Sequence, residues 1–222
     1  MARGTEEEIM NEILTKTYEL KIETLKKRLE NKRFKVSVVD NSEELIDLVR
    51  NIIEDNAKVS LGGSKTLEET GLLQELYKMD INLVDRYKEG ITKEERDDLL
   101  REAFSSDYFI TSSNAISMDG ALYNIDGTGN RVAAMCFGPK NVLVICGLNK
   151  ICENEEDAKY RVRNIAAVAN TIRFNKNAPC TKIGYCVNCE CEDRICDSFV
   201  KIDRSHVEGR IHIIFVKENL GF

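Results

Sequence analysis

A short run limits the architecture more than any other part of the chain: Val142-Leu143-Val144-Ile145-Cys146 is apolar at every position. A strand with one wet face alternates apolar and polar residues, so an unbroken run means a sheet covered on both sides. Comparable strand-like segments occur at Phe34 to Val39, Lys58 to Leu61, Ile81 to Val84, Tyr108 to Ile110 and Arg210 to Val216. Helical periods lie between them, and this alternation predicts an α/β fold with a mostly parallel sheet and helices on both faces.

Residues 5 to 33 carry Ile9, Ile13 or Leu14, Tyr18, Ile22, Leu25 and Leu29 three to four apart, which predicts a long amphipathic helix packed on the domain. Asn41 with Glu44 caps a helix whose apolar face is Leu45, Leu48, Val49, Ile52 and Ile53. Thr66 with Glu69, and Thr92 with Glu95, have the spacing of capping boxes. The last long helix, Glu155 to Asn175, is expected to turn Val162, Ile165, Ala166, Val168, Ala169 and Ile172 inward, leaving Arg161, Arg163 and Arg173 on a solvated surface. His206 and His212 have no nucleophile signature near them and read as structural or surface residues.

These periods divide the chain into an N-terminal amphipathic helix (1–33), an α/β core (34–178), a Cys-rich segment (179–198) and a closing strand of the core (199–222). At 222 residues the chain supports one main domain with an appendage. A net charge of -6 with no segregated basic block argues against a nucleic-acid partner. The charged start lacks the apolar region of an export signal, and no apolar run is long enough to cross a bilayer, so a cytoplasmic protein without membrane insertion is expected.

Most ligand-capable residues fall between Thr111 and Arg131. The Tyr108-Phe109-Ile110 run stops at Thr111-Ser112-Ser113-Asn114, as a buried strand entering a polar loop should. Asp119-Gly120 and Asp126-Gly127 mark tight turns, and Gly129-Asn130-Arg131 opens a helix at Val132 with free backbone N–H groups and a guanidinium beside them. Asn114, Gly120, Gly129, Asn130 and Arg131 therefore form one half of an expected anion site. The other half is Gly62-Gly63-Ser64-Lys65-Thr66, a strand-to-helix turn that lacks the glycine spacing of a Walker loop. Neighbouring parallel strands would bring Ser64 and Arg131 to a common rim, beyond the carboxyl ends of the sheet. Asp119, Asp126 or Glu69 would supply acid/base chemistry there.

Five of the eight cysteines, Cys180, Cys186, Cys189, Cys191 and Cys196, fall within 17 residues. Thiolates at this density gather zinc, an iron–sulfur cluster or copper, and Cys186-x-x-Cys189 has a spacer common to such loops. The spacing does not choose among metals, and disulfides or free thiols are the competing outcome. Arg194 and Lys182 could lower nearby thiol pKa values and make a redox switch. Cys146 reads as a small apolar core residue.

Gly62-Gly63-Ser64-Lys65-Thr66 with Glu69, Gly71 and Leu72, then Asp119-Gly120, Gly129-Asn130-Arg131, Phe137-Gly138-Pro139, Gly147-x-Asn149-Lys150 and the late cysteines together resemble the lactate-utilisation (LUD) domain family. The likeness runs from about Ile9 onward and is most specific from Ser112 to Lys150. It implies an α/β fold related to the ribose-phosphate isomerase and CoA-transferase group. It also implies a role beside iron–sulfur oxidoreductase subunits that oxidise L-lactate to pyruvate. The resulting expectation is a protein that binds a small anionic metabolite, as subunit or accessory factor of that system, with an iron–sulfur oxidoreductase partner and zinc or iron–sulfur at the cysteines. A non-catalytic metal-binding or redox-sensing module, and an isomerase or CoA-transferase-like enzyme on a phosphate or thioester, are the alternatives.

Overall fold

In the computed structural model, residues 6–222 are described, with side chains from Lys16 onward. The chain begins with α1 (Glu6–Asn31), β1 (Lys35–Val39), α2 (Ser42–Ile52), β2 (Lys58–Leu61), α3 (Lys65–Glu69), α4 (Leu72–Leu76), β3 (Asn82–Val84) and α5 (Lys93–Glu102). It continues through β4 (Tyr108–Thr111), β5 (Ala115–Ser117), β6 (Ala121–Asp126), α6 (Asn130–Cys136), β7 (Asn141–Gly147) and β8 (Ile151–Cys152). The final elements are α7 (Glu155–Arg161), a π-helical turn (Val162–Ala166), α8 (Ala167–Arg173), α9 (Cys180–Ile183), β9 (Ser198–Ile202) and β10 (Ile211–Val216).

Six strands form one parallel sheet in the order β1-β10-β7-β4-β2-β3. The apolar run in β7 is buried throughout because its side chains feed two cores. Leu143 and Ile145 pack with Leu45, Val49, Leu72 and Leu76 of α2 and α4. Val142, Val144 and Cys146 pack on the opposite face with Leu25 and Leu29 of α1 and Met135 of α6. The expected α/β architecture is therefore present, and α1 contributes to its main core.

One face has a further cover that the sequence does not announce. A second sheet, β8-β5-β6-β9, joins α1 and α6 over that side, with β5 and β6 antiparallel around Met118-Asp119-Gly120. Ile116, Leu122 and Ile202 carry its apolar contacts into the core. β8 has two residues and β5 three, too few to display a period.

Caps formed where the side chain could reach. Asn41 accepts from the backbone of Glu43 and Glu44, and the Thr92–Glu95 capping box is complete. The Thr66–Glu69 box is not formed: α3 starts two residues earlier, with Ser64 at the N-cap, Thr66 lies inside it, and the Glu69 carboxylate accepts from Gly221 N instead. On α1 the expected apolar face holds at Ile22, Leu25 and Leu29, whereas Tyr18 is exposed; the side chains of Ile9, Ile13 and Leu14 lie outside the described residues.

The last long helix departs most from its period. Its buried stripe runs Ala158, Arg161, Val162, Ala166, Ala167, Val168 and Thr171, stepping by five across the π turn. That extra residue rotates Ile165 and Ile172 out to solvent, and Arg161 turns inward rather than lying on the surface.

Candidate functional site

In sheet order, β10, β7, β4 and β2 are consecutive neighbours. The segments leaving their carboxyl ends carry Phe222, Lys150, Ser112 and Ser64 into one cavity of about 270 Å³. Parallel strands place successive loops on the same edge, which is why residues 158 positions apart share a wall. Gly62 makes this possible at β2, since a Cβ there would come within 2.4 Å of Thr111 Oγ1.

Lys150 forms the cavity floor and is 2% exposed. Its Nζ donates to Thr66 Oγ1 and to Ser112 Oγ, both at 2.9 Å, and no carboxylate lies within ion-pairing distance of it among the described residues. Burial pulls its pKa down to about 8, and the nearby Arg161 and Arg131 guanidinium groups act in the same direction. A buried cation normally has a paired anion. Here no carboxylate among the described residues pairs with it directly; Glu69 acts on it only from beyond ion-pairing distance.

The guanidinium of Arg131 is already fully engaged. Its Nε and Nη2 bind Asp126 Oδ1 at 2.9 and 2.6 Å, Nη1 binds Ser112 O and Asn124 Oδ1, and Nη2 also reaches Asn114 Oδ1 and Ile125 O. Asp126 uses its second oxygen to accept from Val132 N at the start of α6. The pair stitches the end of β4 to β6 and presents little free valence to a ligand. Arg161 is a comparable brace in the adjoining layer, donating to Asn114 O at 2.6 Å and Asn149 O at 2.8 Å.

The lining carries further cations. Arg86 stacks on Tyr87 and has no ion-pair partner among the described residues. Arg173 lies over Phe174 and Phe222, with Glu68 3.7 Å from its Nη1, and its buried Nε has no hydrogen-bond partner. Lys65 is paired with Glu68 at 3.0 Å. The helices behind the two turns, α3 and α6, span five and seven residues, so their dipoles are short and side chains supply most of the positive charge.

Gly63, Ser64, Lys65, Thr66, Asn114, Asp126, Asn130 and Arg131 line the cavity together. Gly62 lies just behind it, and Gly129 takes φ +77° before α6 beside Ser198. Asp119 and Gly120 are elsewhere: the β5–β6 turn packs Gly120 against the backbone of Arg28 in α1, with Asp119 exposed beside it. Glu69 lies outside the lining and holds Gly221. Sequence reasoning did not select Lys150, Ser112, Arg86, Arg173 or Phe222 as site residues. For Lys150 a signal existed, since a cation three positions beyond a fully buried strand is placed at a sheet edge; Phe222 had none.

Cys180 lies on α9, and Cys186, Cys189, Cys191 and Cys196 lie on the irregular segment that follows. Cys189 Sγ and Cys191 Sγ are 3.6 Å apart, close to an edge of a thiolate tetrahedron. No group of three or more potential metal ligands assembles among the described residues. Arg194 binds Cys189 O and Cys196 O instead of activating a sulfur, and burial pushes the Cys196 thiol up despite that guanidinium. Desolvation, then neighbouring Cys189, pushes Cys191 up as well. The segment nonetheless borders the cavity, because Ile195 lines it and Asp197 N donates to Asp126 O.

The fold and cavity define a parallel α/β protein with a cationic pocket at the carboxyl edge of its sheet. The chain belongs to the LUD domain family, whose model matches residues 22–216. Its structure is similar to that of a DUF162 family protein from Deinococcus radiodurans, at 13% identity, with a TM-score of 0.51 over 90% of this chain and 98% of that one. The β subunit of eIF2B from Chaetomium thermophilum matches more distantly, at 13% identity and a TM-score of 0.37 over 52% of this chain and 44% of that one. No curated protein matches the chain. Among the described residues no helix is long and apolar enough to cross a membrane.

Proposed function

We propose that the chain binds a small anionic metabolite in this cavity, as a subunit or accessory factor of an iron–sulfur-dependent L-lactate oxidation system with an iron–sulfur oxidoreductase as partner. The carrying observation is Lys150: a buried amine on the cavity floor with no carboxylate within ion-pairing distance among the described residues. A bound carboxylate would complete that charge balance, with Arg86 and Arg173 of the cavity lining and the Ser64 hydroxyl, which makes no capping bond, as further donors. Membership of the LUD domain family supports the link to lactate. Metal at the cysteine segment, zinc or iron–sulfur, is a separate element of the proposal, read out by metal analysis and the absorption spectrum of anaerobically purified protein.

The test is thermal denaturation of the full chain at pH 7 with L-lactate, pyruvate or phosphate. At least one should raise Tm with a saturable dose dependence, and Lys150→Met should lose the rise. If none raises Tm, the anion reading fails.

A further inference from the structure

Lys150 differs from an ordinary anion-binding lysine in three respects. It is enclosed at the cavity floor rather than reaching in from the rim; both of its protein hydrogen bonds go to hydroxyls; and those hydroxyls lead on to other acceptors. Ser112 Oγ lies 3.3 Å from Ser113 O, and Thr66 Oγ1 lies 3.5 Å from both Ser112 Oγ and Leu220 O. A carboxylate would pin the amine as ammonium, whereas hydroxyls both accept and donate and so serve either protonation state.

We propose that Lys150 is a nucleophile that condenses with the carbonyl of a small 2-oxo acid held in this cavity, an assignment that rests on the anion-binding reading above. The Nζ lone pair would attack the carbonyl carbon while the carbonyl π pair moves to oxygen, which takes a proton through Ser112 or Thr66. The carbinolamine then expels that oxygen as water, carrying both protons lost by the amine, and leaves an imine. One C–N double bond replaces one C–O double bond, one water is released, and no oxidant is consumed. The depressed pKa of Lys150 supports the chemistry by leaving a substantial neutral fraction near pH 8.

The rest of the cavity fits the other end of such a molecule. Arg86 and Arg173 line the same cavity as Lys150, and Arg173 Nε is a buried donor without a partner, suited to a carboxylate oxygen. Phe174, Phe222 and Ile195 add apolar wall for a short side chain. A volume of about 270 Å³ suits a short-chain acid better than a nucleotide or a CoA thioester.

The experiment uses the full native chain with pyruvate and sodium cyanoborohydride at pH 8, followed by peptide mapping by mass spectrometry. The expected result is a carboxyethyl group on Lys150 ahead of every other lysine, with this selectivity lost when the chain is labelled in urea. Labelling spread over surface lysines, with Lys150 unmodified in the native protein, overturns the proposal. If Lys150 stays unmodified while pyruvate still raises Tm, the imine is wrong and the anion site stands. If pyruvate neither labels Lys150 nor raises Tm, and no other anion does, both fail.

Discussion

Lys150 Nζ lies 2.9 Å from Thr66 Oγ1, so the segment after β7 and the start of α3 meet through an amine with no ion-pair partner among the described residues. Such a buried amine costs the fold stability. Below pH 8 the folded protein carries a buried cation. Between about 8 and 10.5 the folded amine loses its proton before the unfolded one does, and the penalty fades.

Lys150→Met should therefore be more stable than the parent at pH 7. The shift from 10.5 to about 8 corresponds to about 3 kcal/mol at most, and two lost hydrogen bonds offset some of that, leaving a gain of about 1–2 kcal/mol. Urea denaturation across pH 7 to 9.5 should show the advantage shrinking as pH rises above 8. A variant less stable than the parent at pH 7 would mean that Lys150 is not an uncompensated charge.

Arg131 gives the opposite expectation. Its guanidinium is buried with Asp126, and truncation leaves that carboxylate, Asn114 and Asn124 without their shared donor. Arg131→Ala should cost about 3–5 kcal/mol and lower Tm with or without ligand. A variant that keeps the parental Tm and loses only anion binding would make Arg131 a ligand contact rather than a brace.

The contrast between these two residues shows what could be read from the chain. The run from Val142 to Cys146, its neighbouring strands and the Asn41 and Thr92 caps are local patterns, and local patterns expose the main sheet and the turns that border the cavity. Arg131 lines the cavity, but which partners saturate it depends on Asn124 and Asp126 of β6 and Asn114 of the preceding loop converging on it. Lys150 carried a positional hint without a chemical one: its significance is the lack of a counter-charge, which requires knowing every neighbour. The π turn that carries Ile165 and Ile172 to the surface left no mark in the hydrophobic period, because that period assumes a regular helix.

Gly221 tests the wall beside the pocket. Its amide donates to Glu69 Oε2 at 2.6 Å, its carbonyl accepts from Asn149 Nδ2 at 2.9 Å, and its φ of +58° disfavours any Cβ. An added Cβ would also lie 2.6 Å from Thr66 Oγ1 and 3.4 Å from Lys150 Nζ. Gly221→Ala should release the segment that carries Phe222, costing about 1–2 kcal/mol and speeding hydrogen exchange at the residue 221 amide. Parental exchange at that amide would show that the wall tolerates the methyl group.

His212 should add to the acid sensitivity of the fold. It is buried on β10 with Nε2 2.8 Å from Ser37 Oγ, and burial, followed by the charge of Lys35, pulls its pKa down to about 4. Above about pH 6.5 the ring is neutral in both folded and unfolded chains and imposes no penalty. As pH falls from there toward 4 the unfolded chain takes up a proton that the folded one refuses, so stability declines by up to about 3 kcal/mol. Replacing the ring with a neutral amide that can still meet Ser37, His212→Gln, should flatten the decline over this window. Urea midpoints measured from pH 7 to 4.5 check this, and equal slopes for parent and variant would assign the acid sensitivity to other groups.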